Sequence, residues 1–407
     1  AVFVQSPLLY CTGTERFVLT PPQAEEFRHR QRRLRDDEAA SLPPAGTGAA
    51  PGEPPLAATL QQALTGGREL RYHAPARAWT VHPLPTRPPA VVPDGVCFHS
   101  GAFPGRITLK LEPGTRCNFT CGFCYGRHLE QGNLSWDAFL ALLGRVPGVR
   151  FVELTGEGEP LANKQIFRMV AECRRRGLGV HVTTNGSLLT DRNAERLLSS
   201  GATSVAVSLE SVDEERFAQL RTGGSLPRVV EGIGALVRAR ERLGVSATLS
   251  LWVTLLRETL PELEALGELV DRLGIDHLEF QVLNTMNAYA RFYDARLQAN
   301  ALEPGLLDAL ARQAVVHPKV RAALAAAGAS YGGRECDVFL QTAMVSWQGA
   351  VTPCCLLKAP DFPQMGNLHE STFEEIWESP RFRLFRFSLQ HGIVLESCAG
   401  CARVAEA

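Results

Sequence analysis

The chain has 407 residues, 45% of them hydrophobic, which suits two or three globular units with a large core. Lys and Arg number 42 and Asp and Glu 43, so nothing in the charge balance asks for nucleic acid or an anionic membrane. No apolar run approaches the length of a bilayer span and no secretory signal is evident, which predicts a cytoplasmic protein. The eleven cysteines fit that compartment, because most sit at metal-like spacings rather than as a disulfide framework.

Residues 1–100 read as an accessory region. Val2 to Tyr10 and Arg16 to Thr20 suggest a short hairpin, and Pro21 to Leu34 a charged helix. Ser41 to Pro55 is a Pro-, Gly- and Ala-rich loop, followed by a short helix from Leu56 to Leu64. Glu69 to His73 and Ala78 to His82 suggest a second hairpin, and the prolines of Pro83 to Pro93 a linker. The region reads as an accessory lid; recognition of a leader peptide is the alternative, although the usual order of three strands before three helices is not matched here.

From residue 106 the pattern changes. Strands are predicted at Arg106–Glu112, Val149–Thr155, Gly179–Thr184, Ser204–Glu210, Ala247–Thr254 and His277–Leu283. Helices are predicted between them at Ser135–Leu143, Asn163–Arg176, Asp191–Ser199, Leu226–Arg242 and Glu262–Leu273, the last with a capping-box spacing at Thr259 and Glu262. Alternating βα units of this length imply a parallel sheet covered by helices, an α/β partial (β/α)6 barrel. Sites in such barrels lie at the C-terminal ends of the strands. The expected division is an accessory region over 1–100, the barrel over 101–290 and a third unit over 291–407.

The chemistry starts directly after the first barrel strand. Cys117, Cys121 and Cys124 form C-x3-C-x2-C. Three thiolates on one loop can hold three irons of a [4Fe–4S] cube and leave the fourth iron open. A zinc knot is the competing reading, but zinc normally takes four closed ligands and no fourth completes a familiar pattern. Thr155-Gly156-Glu157-Gly158-Glu159-Pro160 follows the second strand, where glycines let a backbone approach a ligand. Thr183-Thr184-Asn185-Gly186 follows the third, Ser208 and Glu210 end the fourth, and Arg221 lies beyond them. Further on come Cys336, Cys354, Cys355, Cys398 and Cys401, with Gly349 to Cys354 spaced as G-x4-C and Cys398 to Cys401 as C-x2-C. Cys11, Cys97 and Cys173 stand alone, and Cys173 reads as a small core residue.

Taken together, residues 106–401 resemble the radical SAM superfamily. The resemblance implies that Cys117, Cys121 and Cys124 hold a [4Fe–4S] cluster whose open iron binds S-adenosylmethionine (SAM), cleaved reductively to a 5′-deoxyadenosyl radical. It implies SAM contacts from Phe123, Gly156, Glu157, Gly158, Glu159, Thr184, Asn185, Ser208, Glu210 and Arg221. A guanidinium such as Arg221 suits the methionine carboxylate. The second cysteine group resembles a Twitch- or SPASM-like domain, which implies an auxiliary [4Fe–4S] cluster on Cys336, Cys354, Cys398 and Cys401; Cys355 is an alternative to Cys354. Gly366-Asn367-Leu368 and the following Phe373 to Trp377 fit the same domain.

The cysteine spacing resembles that of the Twitch-type aminocyclitol dehydrogenase of the butirosin pathway. This implies a radical SAM oxidoreductase or epimerase acting on a polar small molecule, an aminocyclitol or sugar intermediate, with flavodoxin or ferredoxin as reductant. In an epimerase a thiol returns the hydrogen atom, and Cys355 and Cys97 are the candidates. A peptide maturase acting on a precursor peptide is the runner-up. An iron–sulfur electron carrier without SAM chemistry is the third reading. Gln281, Asn284 and Asn287 are candidates for polar substrate contacts.

Overall fold

The computed structural model describes residues 107–283 continuously, strand residues at 16–17, 68–73 and 78–83, and segments between 292 and 401. Three short strands form one sheet: β1 (Arg16–Phe17), β2 (Arg68–His73) and β3 (Ala78–Pro83), in the order β1-β2-β3. The expected hairpin of β2 and β3 is present and antiparallel, whereas β1 pairs parallel with β2. The remaining elements expected over 1–100, and Cys11 and Cys97, lie outside the described residues.

The barrel strands are β4 (Ile107–Leu111), β5 (Val149–Leu154), β6 (Gly179–Thr184), β7 (Ser204–Ser208), β8 (Thr248–Leu255) and β9 (His277–Val282). All pair parallel with their sequential neighbours. The intervening helices are α1 (Trp136–Arg145), α2 (Ile166–Arg175), α3 (Asp191–Ser199), α4 (Glu214–Leu220), α5 (Leu226–Leu243) and α6 (Leu263–Leu273). Their ends are set locally. Ser135 and Thr190 accept N–H bonds from Ala138 and Asn193, and Gly244 and Gly274 end α5 and α6 in the left-handed conformation.

Period-two alternation decides which side chains meet the helices. Leu109, Leu111, Val152, Leu154, Val180, Val182, Val205 and Leu249 are fully covered. Each such side chain contributes roughly 1.5–3 kcal/mol on burial. The other face is polar. Lys110 pairs with Glu153 at 2.7 Å, and the His181 ring bonds Ser204 Oγ at 2.8 Å and Thr183 Oγ1 at 3.0 Å while stacking on Trp252.

The six expected barrel strands are present, and among the described residues three more extend their sheet to nine. β10 (Thr342–Val345) adds parallel to β4, and β11 (Ala350–Thr352) and β12 (Gly366–Asn367) extend it antiparallel. One expectation is corrected: the pair Thr259 and Glu262 is not a capping box. Thr259 lies inside a 3-10 turn over Arg257–Glu262, where its hydroxyl bonds Leu256. The Glu262 carboxylate instead accepts Ser211 Oγ at 2.6 Å and Val212 N at 2.7 Å, and pairs with Arg216. A long-range set of donors outcompeted the local one. Toward the end of the chain lie α7 (Ala295–Asn300), α8 (Pro318–Ser330) and α9 (Phe373–Trp377). Thr372 and Glu375 do form a capping box at α9.

Candidate active site

The β4 strand ends at Leu111, and the next residues lead into the loop carrying Cys117, Cys121 and Cys124. Backbone donors reach two of the three sulfurs: Phe119 N–H donates to Cys117 Sγ at 3.4 Å and Gly126 N–H to Cys124 Sγ at 3.3 Å. Arg127 ties the loop down through the Cys121 and Gly122 carbonyls at 3.2 and 3.1 Å. Burial pushes the Cys121 thiol up to about 11 and the Cys124 thiol up to about 12. Such sulfurs ionise only when a cationic centre compensates for the lost water.

The donor set suits a [4Fe–4S] cube, in which each of the three cysteines would bind its own iron.

The Gly-rich loop after β5 lies against this cysteine loop. A Cβ on Gly126 would sit 2.5 Å from the Glu157 carbonyl, and one on Gly156 would sit 2.4 Å from Glu112 Cγ. Both positions therefore require glycine. Glu112 is buried, and its carboxylate accepts the Glu157 N–H at 3.0 Å, which holds the loop in place. Sequence reading missed Glu112, although its place at the end of β4, five residues before Cys117, was available as a signal.

A cavity of ≈ 260 Å³ opens at the C-terminal ends of the strands. Phe123, Cys124, Gly156, Glu157, Ser208, Glu210 and Arg221 line it, together with Thr155, Thr183, Trp252, Val253, Thr254 and Gln281. Seven residues singled out from sequence thus meet at one place, and Gln281 joins them. Arg221 and Glu210 are buried and form a forked ion pair, and the Arg221 guanidinium lies 5.5 Å from the Phe123 ring centre. The buried Tyr293 belongs to the same neighbourhood and was not expected. Burial raises its hydroxyl pKa, with further contributions from Glu157 and Cys124.

Gly158, Glu159, Thr184 and Asn185 do not line this cavity. A Cβ on Gly158 would meet the Gly114 carbonyl at 2.5 Å, so it is a packing position. The Glu159 carboxylate is buried and accepts Thr184 Oγ1 at 2.6 Å, Asn185 N at 2.6 Å and Leu161 N at 3.0 Å. Asn185 turns its side chain toward Asn118 and Cys117.

In the C-terminal part, Cys398 is buried, and Cys354 and Cys401 are half-buried. The Cys401 N–H bonds the Cys398 carbonyl at 3.0 Å, and the Leu356 N–H donates to Cys354 Sγ at 3.3 Å. That pattern of backbone N–H to sulfur repeats the one at Cys124. Cys336, Cys355, Asn284 and Asn287 lie outside the described residues.

The profile of the radical SAM superfamily matches residues 111–270, and that of the SPASM iron–sulfur cluster-binding domain matches 336–402. The chain carries a radical SAM domain and a SPASM domain. The first implies a [4Fe–4S] cluster with SAM and the second auxiliary iron–sulfur clusters, and radical SAM proteins as a family support enzymatic activity. A tungsten-containing aldehyde ferredoxin oxidoreductase cofactor-modifying protein of Pyrococcus furiosus is 26% identical over 317 residues, spanning 72% of this chain and 86% of that protein. SuiB of Streptococcus suis bound to S-adenosylmethionine shares the fold at 18% identity, covering 69% of this chain and 68% of that one, with a TM-score of 0.52. BtrN in complex with AdoMet and 2-DOIA aligns at 17% identity over 72% of this chain and 91% of that one, with a TM-score of 0.44. Among the described residues no helix is long and apolar enough to cross a membrane.

Proposed function

We propose that this chain is a radical SAM oxidoreductase or epimerase whose substrate is a polar small molecule of the aminocyclitol or sugar class. The observation that carries the reading is the polar interior beneath the cysteine loop. Thr155, Thr183, Ser208, Trp252, Thr254 and Gln281 offer hydroxyl, indole and amide groups to the cavity, and the Lys110–Glu153 pair and His181 lie on the same polar face. An apolar substrate would cover the Thr155, Thr254 and Gln281 side chains without giving them partners, at a cost of about 1–3 kcal/mol each. A hydroxylated one would satisfy them.

In this reading Cys117, Cys121 and Cys124 hold three irons, and SAM at the fourth meets Phe123, Gly156, Glu157, Ser208, Glu210 and Arg221. Bound there, cluster and SAM supply a radical that takes a carbon-bound hydrogen from the substrate. The chain's own work is to orient the reacting carbon and to keep water out. Thr254 and Gln281 hold substrate oxygens, while Phe123 closes the side toward the cysteine loop. Cys336, Cys354, Cys398 and Cys401 hold an auxiliary cluster, and Cys355 and Cys97 are the thiols for an epimerase. The reductant is a flavodoxin or ferredoxin, and the work is divided over 1–100, 101–290 and 291–407.

Peptide maturation is the second reading, favoured by the β1-β2-β3 sheet. Among the described residues β3 pairs only with β2, and such an edge can accept an extended peptide as an added strand.

Replacing Cys117, Cys121 and Cys124 together with Ala tests the core of the proposal. 5′-Deoxyadenosine formation should vanish while the far-UV circular dichroism stays as in the parent protein. Reductive SAM cleavage by that variant would end the proposal.

A further inference from the structure

Asn185 sits at the turn after β6, where Gly186 takes φ +79°, and only 7% of it is exposed. Its amide is held in a closed ring. The Ser187 N–H donates to Asn185 Oδ1 at 3.0 Å and the Ser187 hydroxyl donates to the same oxygen at 2.7 Å. A backbone N–H is always a donor, so the oxygen of the Asn185 amide must face Ser187. That leaves both Nδ2 hydrogens on the opposite side. One goes to Asn118 Oδ1 at 3.0 Å, and the other reaches Cys117 Sγ at 3.8 Å. Asn118 closes the ring, donating through Nδ2 to Ser187 Oγ at 2.8 Å. Glu159 fixes the backbone beneath by accepting the Asn185 N–H at 2.6 Å. Orientation is therefore determined twice, once by the ring and once by the backbone.

We infer that Asn185 is a positioning residue for the cluster loop and that its amide N–H, donated to Cys117 Sγ, sets the reduction potential of the radical cluster. The inference rests on Cys117 being a cluster ligand, as proposed above. Its physics is simple. A hydrogen bond to a cluster sulfur favours the form with more negative charge, which is the reduced one. Two donors converge on this sulfur, the Phe119 N–H from within the loop and Asn185 from 68 residues away. The second donor ties the electron affinity of the cluster to the turn after β6. It also places Asn185 against the sulfur rather than in the cavity that Ser208 and Arg221 line.

The test is a reductive titration of the reconstituted holoenzyme followed by electron paramagnetic resonance. The cluster to follow is the one whose signal changes when SAM is added. Asn185→Leu removes both donors at similar size. The ratio of reduced to oxidised cluster, read at the parent midpoint, should fall about tenfold, which is 59 mV for one electron. Ser187→Ala opens the ring but leaves the donor to Cys117, and should change the ratio less than threefold. Should Asn185→Leu load no cluster, Asn185→Asp decides by the same criterion. It keeps the acceptor for Ser187, has no N–H, and should lower the ratio at least as far. An unchanged midpoint in a fully loaded variant overturns the inference, as does a Ser187→Ala shift equal to that of Asn185→Leu. A parent protein with no SAM-responsive signal would overturn the cluster assignment instead.

Discussion

Arg221 and Glu210 are both buried, so each is the other's compensation for lost water. Removing one member of such a pair costs about 3–5 kcal/mol, because the other charge stays buried without a partner. Arg221→Ala should therefore destabilise the protein more than the double change Arg221→Ala with Glu210→Ala. Denaturant midpoints of the four proteins in the cycle check this, and an additive cycle would reject the coupling. His181 poses the opposite problem. Burial pulls its imidazole down to about 4, with Glu153 raising it and Lys110 lowering it. The unfolded chain binds the proton near pH 6.5 and the folded chain only near pH 4. Stability is therefore unaffected above pH 6.5 and is lost as pH falls from 6.5 toward 4. Between pH 7 and pH 5 the loss is about 2 kcal/mol. His181→Gln should lack that component, so the stability difference between parent and variant should change with pH by this amount. A constant difference from pH 7 to pH 5 would show that His181 does not titrate this way.

At the scale of elements, the barrel was legible because its signals are local. Strand alternation, Ser135, Thr190 and the glycines after α5 and α6 can be read within a few residues of where they act. The helix α4 escaped because it has seven residues and its cap, Asp213, was not read as one. β10 escaped for a different reason: its four residues pair with β4, far away in sequence, and nothing near Thr342 announces that partner. The site divides the same way. The cysteines and the cavity residues were legible as motifs. The donor from Asn185 to Cys117 and the seat of Glu157 on Glu112 were not, since both join loops that only the fold brings together. The role of β10 has a consequence. Gln348 reaches Glu130 at 2.8 Å and Arg145 donates to the Leu368 carbonyl, so the SPASM region is fastened to the barrel at two points beyond the cysteine loop as well as along β4. Cutting the chain after residue 335 would uncover the edge of β4, a template for pairing with other chains. The shortened protein should elute from size-exclusion chromatography as aggregate. A monomeric product with a SAM-responsive cluster would mean that β10 is dispensable.

At the scale of the whole molecule, the proposed chemistry poses one choice: where a substrate radical would go once its hydrogen is taken. The same chain carries two candidate outlets. One is the SPASM domain, with Cys398 buried and Cys354 and Cys401 half-buried, where a cluster closed by protein thiolates can accept an electron but offers no free iron. The other is a thiol, Cys355 or Cys97, which returns a hydrogen atom. The two outlets leave different marks in the product. Loss of an electron and a proton gives a product two hydrogens lighter and places no solvent hydrogen on the reacting carbon. Return of a hydrogen conserves composition, and because thiol protons exchange with water, a reaction in D2O leaves one deuterium on that carbon. Cys355 directly follows Cys354 in the chain, whose sulfur already accepts the Leu356 N–H at 3.3 Å. Direct succession in the chain ties Cys355 to a proposed cluster ligand, which favours the electron outlet over a free hydrogen donor. Oxidation is therefore the expected outcome, with a mass two hydrogens below that of the substrate and no deuterium at the reacting carbon by mass spectrometry. A gain of one deuterium that disappears in Cys355→Ala would assign the enzyme to epimerisation instead.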